Sequence, residues 1–237
     1  MVVKYTIYGE RCSGTNYLEG LLKKNFQVDV TWDYGWKHWF GFNDLSDSDD
    51  TLFVGIVRDP HEWLNSFYKS PHHVAPVILP HHHLRPFFVK ALNYLHNANV
   101  DRFLNHEFWS TTHDDPAKTE QMHDRNIFTK QRYKNVFELR YTKLRFLVEE
   151  MPKKVKHYIL IRYEDLLFDL RGTLEKIRIA GDLKIRTDIA PSYPLNVKEY
   201  KAIPNAEEYR KKNCYPIPKH KIMNKLNSKY ERQLGYM

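Results

Sequence analysis

Gly9 and Gly14 bracket four residues in "GERCSG", directly behind the apolar run "VVKYTIY" and ahead of "TNYLEGLLKKN". The Gly-x-x-x-x-Gly spacing between a strand and a helix is that of a phosphate-cradling loop. Its glycines let the backbone turn tightly and approach a ligand closely. The first amides of the following helix bind an anion, helped by about half a positive charge from the helix dipole. Nucleoside triphosphatases follow the second glycine with Lys and then Ser or Thr, which serve the β/γ-phosphates and magnesium. Thr15 and Asn16 stand there in this chain, which disfavours ATP hydrolysis and kinase chemistry. The cradle suits a ligand with one bridging phosphate and no metal, with Ser13, Thr15 and Asn16 as added side-chain donors. The same residues also make an ordinary helix start, so the neighbouring segments decide between the two.

A second anion point follows in "IVRDPHEWLNSFY". Arg58 ends the apolar run 51–57, and ligands of open α/β sheets bind at the carboxyl ends of strands, where the strand order reverses. Ser66 lies eight residues on, about two turns into a helix and roughly 10 Å along its axis. Arg58 and Ser66 together can grip one phosphate from two sides. Taken without the cradle, they are a surface cation and a solvated helix residue.

The elements that must position these groups alternate. Residues 2–8 form a strand, 14–25 a helix with Tyr17, Leu18, Leu21 and Leu22 on one face, and 27–32 a second strand. "TLFVGIV", 51–57, is apolar throughout, as a strand buried on both faces of a parallel sheet must be. Asp59-Pro60 is an N-cap followed by proline at the first helical position. Residues 70–86 are a long Pro- and His-rich loop, 87–98 a helix, 99–125 a polar stretch without clear periodicity, and 127–150 a long basic amphipathic helix. "VKHYILIRY" is a last strand, residues 164–183 a helix, and the C-terminal part is mostly helical. This pattern predicts a P-loop-type α/β fold: a doubly wound parallel sheet flanked by helices, in a single domain over 1–237.

"ERCSGTNYL" after a strand, then "VRDPHEWLNSFY", then "IRYEDLL" resembles the P-loop sulfotransferase family, which uses 3′-phosphoadenosine 5′-phosphosulfate (PAPS). The closing "YERQLGY" resembles the family's last helix. The resemblance implies that residues 11–16 (Arg11, Cys12, Ser13, Gly14, Thr15 and Asn16) hold the 5′-phosphosulfate and that Arg58 and Ser66 hold the 3′-phosphate. It implies 3′,5′-ADP as product, no metal, and a structural role for Arg162 to Leu166. The family often has Lys or Arg immediately before Ser-Gly; Cys12 stands there here, with Arg11 one place earlier as the candidate substitute. Cys12 is read as a small buried residue rather than a reactive thiol.

Sulfuryl transfer to a hydroxyl or amine requires a base. Family bases lie after the second strand, which here is "YGWKHWFGF". His38 is the candidate base, because neutral imidazole suits that task, and Lys37 the candidate for stabilising the transferring group. Alternatively, His38 simply packs among Trp36, Trp39 and Phe40. The resemblance also suggests that the late basic run "YRKKN", with Arg210, Lys211 and Lys212, lies near the cofactor. The basic helix over 130–150 can likewise face an anionic acceptor or the 3′-phosphate, although a charge run is more commonly a solvated face. The His-rich segment 72–83 lacks a defined metal-ligand set and is expected to be a solvated lid.

The 237 residues carry a formal charge of +8, which fits an anionic ligand. No apolar run spans a membrane, and the start enters a strand without a signal peptide. With no signal peptide, the two cysteines suggest a reducing, cytoplasmic setting and no disulfide framework. The acceptor is left open between a small molecule, a glycan and a protein hydroxyl. A non-catalytic polyanion- or nucleic-acid-binding protein is the alternative, disfavoured by the lack of a nucleic-acid motif.

Overall fold

The computed structural model describes residues 2–78, 89–112, 119–186 and 217–237. Its centre is a four-stranded sheet of β1 (Lys4–Tyr8), β2 (Asp29–Val30), β3 (Thr51–Val57) and β4 (His157–Arg162), ordered β2-β1-β3-β4 with every neighbour parallel. Every residue of β3 is buried, because β3 has a strand on each side and packed layers on both faces. The chain leaves β1, returns through α1 (Thr15–Asn25) to β2 on one side, and then crosses to β3 on the other. The strand order therefore reverses between β1 and β3. The loop after Tyr8 and the residue after Val57 emerge side by side at the carboxyl ends, the position such sheets use for ligands.

One face of the sheet packs Leu18, Leu21 and Leu22 of α1 and Leu174 and Ile177 of α7 (Leu170–Gly181) against Ile7 and Ile56. The other face is aromatic, with Tyr8, Phe40, Phe53 and Phe146 closed over by Tyr230. A third, largely helical cluster joins Trp63 and Phe67 of α2 (Pro60–Lys69) to Phe103 of α3 (Val89–Asn105), Phe108 and Tyr133. Each fully buried side chain of this size contributes about 1.5–3 kcal/mol. Among the described residues, no helix is long and apolar enough to cross a membrane.

The predicted strands and the helices α1 and α2 are present. Asp59 caps α2 as expected, accepting from the amides of His61 and Glu62 at 2.9 Å. The helix expected over 87–98 runs on to Asn105. The expected helix over 127–150 starts only at Val136. Before it, Asn126 accepts from the amides of Phe128 and Thr129, Tyr133 pairs with Phe108 across an antiparallel bridge, and Asn135 caps α4 (Val136–Arg145) through the amides of Phe137 and Glu138. A π-helical turn (Phe146–Glu150) then leads into α5 (Met151–Lys154). Arg140 and Lys143 are buried, so this helix is not the exposed basic face expected for an anionic acceptor. The helix expected over 164–183 is divided into α6 (Tyr163–Phe168) and α7 at Asp169, whose side chain caps the second. The last helix is likewise split into α8 (Lys219–Met223) and α9 (Ser228–Gln233), with Asn227 capping α9.

The C-terminal segment is tied to the sheet by a buried bidentate pair. Arg140 Nε donates to Glu231 Oε1 at 2.6 Å and its Nη2 to Glu231 Oε2 at 2.8 Å, while Nη2 also donates to the Arg58 carbonyl at 3.0 Å. Replacing one partner strands a buried charge at a cost of about 3–5 kcal/mol. Arg140→Met is therefore expected to lower the unfolding free energy by about that amount in urea titration, and Glu231→Gln added to it to recover part of the loss. Equal stability of Arg140→Met and the parent would contradict this role.

Candidate functional site

The loop after β1 takes its shape from two left-handed residues, Cys12 (φ 65°) and Gly14 (φ 93°). Gly14 is required twice over: its φ disfavours an L side chain, and an added Cβ would lie 2.3 Å from the Tyr163 ring. At Gly9 an added Cβ would meet the Ile56 carbonyl at 2.7 Å. Both glycines thus let the loop lie tight against β3 and the end of β4. Gly14 is the N-cap of α1, and no side chain caps this helix. The first helical bond runs from the Leu18 amide to the Gly14 carbonyl, so Thr15, Asn16 and Tyr17 present first-turn amides without helical acceptors. The nearby α2, by contrast, is closed by the Asp59 side chain. Ser13 and Thr15 are buried, and Asn16 is exposed.

Arg58 reaches this loop at Cys12, and α2, which carries Ser66, lies against the same residue. Arg58 Nη1 donates to the Cys12 carbonyl at 3.1 Å, and its guanidinium lies over the Tyr163 ring, 4.9 Å from the centroid. Its Nε is buried without a hydrogen-bond partner, and its pairing to Glu62 is loose at 3.8 Å. The Cys12 thiol donates to the carbonyl of Ser70 at the end of α2, at 3.8 Å, one turn beyond the half-buried Ser66. Burial pushes that thiol up to about 11, so Cys12 is an unreactive thiol at neutral pH.

Lys37 and His38 arrive from the loop after β2. The Gly9 amide donates to the Lys37 carbonyl at 2.9 Å, and His38 Nδ1 is 2.7 Å from the Gly9 carbonyl. A carbonyl only accepts, so Nδ1 carries the proton and Nε2 is the acceptor nitrogen. Burial pushes the His38 pKa down to about 3, so the ring is neutral at physiological pH. Lys37 Nζ donates to Asn16 Oδ1, lies 3.4 Å from Glu19 Oε2, and is flanked by Trp32 and Trp36 at 5.5 and 5.0 Å. Burial lowers its pKa. A lysine absent from the loop's own sequence is thus delivered to the first turn of α1 from another segment.

Arg11 has a different placement from the one expected. It is 2% exposed, with Nε 2.7 Å from Glu10 Oε1, Nη2 2.8 Å from Asp124 Oδ2 and Nη1 on Ser110 Oγ at 2.5 Å. Its charge is committed to two carboxylates behind the loop, between the Phe67 and Phe108 rings. Glu10, Asp124 and Lys143, none of them among the expected site residues, complete this cluster. The "RYEDL" segment does more than end a strand: Tyr163 backs Gly14 and Arg58, and Glu164 accepts from the Asp59 amide at 2.9 Å and from the Tyr236 hydroxyl at 2.9 Å. Arg210, Lys211 and Lys212 lie outside the described residues, as do His81, His82 and His83. Among the described residues no group of His, Cys, Asp and Glu is arranged to hold a metal ion.

No protein-family model matches this chain, and no curated protein matches it. Among solved structures it is similar to a mouse sulfotransferase, SULT7A1, complexed with PAP, with 11% identity and a TM-score of 0.36. The match covers 79% of this chain and 61% of that one.

The His38 environment has a consequence for stability. Its folded pKa of about 3 lies below the ordinary 6.5, so the unfolded chain takes up a proton as pH falls below about 6.5 while the folded chain does not. Stability present above that value is lost on acidification. Glu10 adds to the loss below its ordinary 4.5, because Arg11 and Lys143, overcoming burial, hold it near 2. The unfolding free energy should therefore fall between pH 6.5 and 4.5, and His38→Asn should flatten that slope in denaturant titrations. An unchanged slope in the variant would show that His38 is not held neutral.

Proposed function

We propose that this chain is a sulfotransferase that moves the sulfuryl group of PAPS to a hydroxyl or amine acceptor. One observation carries the proposal: an uncapped helix N-terminus whose loop residue Cys12 is held by Arg58 and lies against α2, the helix that bears Ser66. That arrangement supports two anion points a short distance apart, which suits a nucleotide with groups on both ends of its ribose. In this account the amides of residues 14–16 hold the 5′-phosphosulfate, and Arg58, with its unpartnered Nε, and Ser66 hold the 3′-phosphate. Lys37 serves the bridging oxygen between phosphorus and sulfur, in place of a loop lysine. Arg11 acts from behind the loop, through Glu10, rather than on the phosphate. Arg210, Lys211 and Lys212 are proposed to add charge near the nucleotide.

The reaction is an in-line displacement at sulfur. The acceptor oxygen or nitrogen forms a bond to sulfur, and the bond between sulfur and the 5′-phosphate oxygen breaks. The electron pair leaves on 3′,5′-ADP, and the acceptor proton passes to His38 Nε2. A strongly depressed pKa makes His38 a weak base in the free protein, but the acceptor becomes far more acidic as it bonds to sulfur. The anionic nucleotide alongside also raises the pKa of the imidazole. The leaving phosphate carries its charge onto amides and Lys37, so no magnesium is needed.

In thermal unfolding without magnesium, 3′,5′-ADP is expected to raise Tm, while 5′-ADP gives little shift. Arg58→Ala removes a charge-assisted contact of about 1.5–3 kcal/mol, so its affinity for 3′,5′-ADP should drop about tenfold or more, and Ser66→Ala should lose less. Equal stabilisation by both nucleotides would contradict the paired site.

A further inference from the structure

Behind the cradle lies a cluster of four charges, none of which is placed against the reacting groups. Glu10, Arg11, Asp124 and Lys143 are 8%, 2%, 1% and 3% exposed. Lys143 Nζ, on α4, lies 2.9 Å from Glu10 Oε2 and donates to Asp124 Oδ1 at 2.5 Å and to the His38 carbonyl at 2.5 Å. Arg11 spans the other oxygens of the same two carboxylates, and Ser110 donates to Asp124 Oδ2. Two acids and two bases sum to zero. Yet Glu10 is itself a loop residue, four positions before Gly14, so the chain builds a carboxylate into the wall of an anion site. A bare carboxylate there would repel an anionic ligand and weaken its binding.

We propose that Lys143 is a positioning residue for the anion cradle: it cancels the carboxylate of Glu10 and, through the His38 carbonyl, fixes the candidate base against the loop. This assignment rests on the sulfotransferase reading of the site. It differs from a purely structural role in the sign of its effects. Removing the cation leaves a net negative charge behind the cradle and weakens anion binding. Removing the carboxylate alone leaves a net positive charge and tightens it. A cluster that only held the fold together would weaken binding in both variants.

The test is calorimetric titration of 3′,5′-ADP into the full-length protein and into Lys143→Met, Glu10→Gln and the charge-balanced Glu10→Gln/Lys143→Met. Lys143→Met should weaken binding about tenfold, Glu10→Gln should tighten it severalfold, and the double variant should return to within a fewfold of the parent. In an assay of sulfuryl transfer, the double variant should keep its KM for PAPS but lose kcat, because the tether to His38 is not restored. Should Lys143→Met fail to fold, the opposite-sign effect of Glu10→Gln still decides. Weaker or unchanged binding by Glu10→Gln overturns the proposal. If the parent protein ignores 3′,5′-ADP, the sulfotransferase reading fails. The same series titrated with inorganic pyrophosphate then decides the role of Lys143, with the same order expected and any other order overturning it.

Discussion

The first turn of α1 leaves amide donors without partners from its own chain, and much of the surrounding structure can be traced to that deficit. A helix start is ordinarily closed by a side-chain oxygen, as Asp59 closes α2. At α1 the cap is Gly14, which has no side chain to offer, and its left-handed backbone is pressed against Tyr163. This helix start follows the carboxyl end of β1, beside the end of β3, where the strand order reverses. Local propensity and tertiary topology therefore converge on one place.

The second theme is how the chain handles charge near this place. Arg58 and Lys37 approach the loop from separate segments, and each is incompletely paired: Arg58 Nε is without a partner, and Lys37 sits 3.4 Å from its nearest carboxylate. Arg11, Arg140 and Lys143, by contrast, are buried and matched with acids at 2.5–2.9 Å. Buried ion pairs of this sort contribute little net stability over apolar packing, but breaking one is costly. They act as rigid joints: Arg140 fixes the Arg58 carbonyl, and Lys143 fixes Glu10 and the His38 carbonyl.

Much of this was legible in the residues. The all-apolar 51–57 run could only be a central strand, Asp59-Pro60 could only begin a helix, and the Gly9 and Gly14 spacing located the turn. Arg58 was singled out by its place at the carboxyl end of a strand, and Ser66 by its distance of about two helical turns from it. The helix starting at 136 rather than near 127 was harder, because Asn126 and Asn135 divert the backbone through side-chain bonds that a periodicity count does not see. The buried charges had a signal that went unused. Arg140 and Lys143 fall on the same stripe as Val136, Leu139 and Leu147, and cations on an apolar stripe are either errors of phase or buried partners of acids. Their partners Glu10, Asp124 and Glu231 are far away in sequence, so spacing could not reveal the pairs.

The central claim is that the amides at the start of α1 and the Arg58 guanidinium hold the two ends of one nucleotide. Amide and guanidinium NMR spectra recorded during titration with 3′,5′-ADP test it most directly. The account predicts that the Gly14, Thr15 and Asn16 amides and the Arg58 side chain shift together along a single saturating curve. Saturable shifts confined to surface lysines elsewhere, with these four signals unmoved, would contradict it.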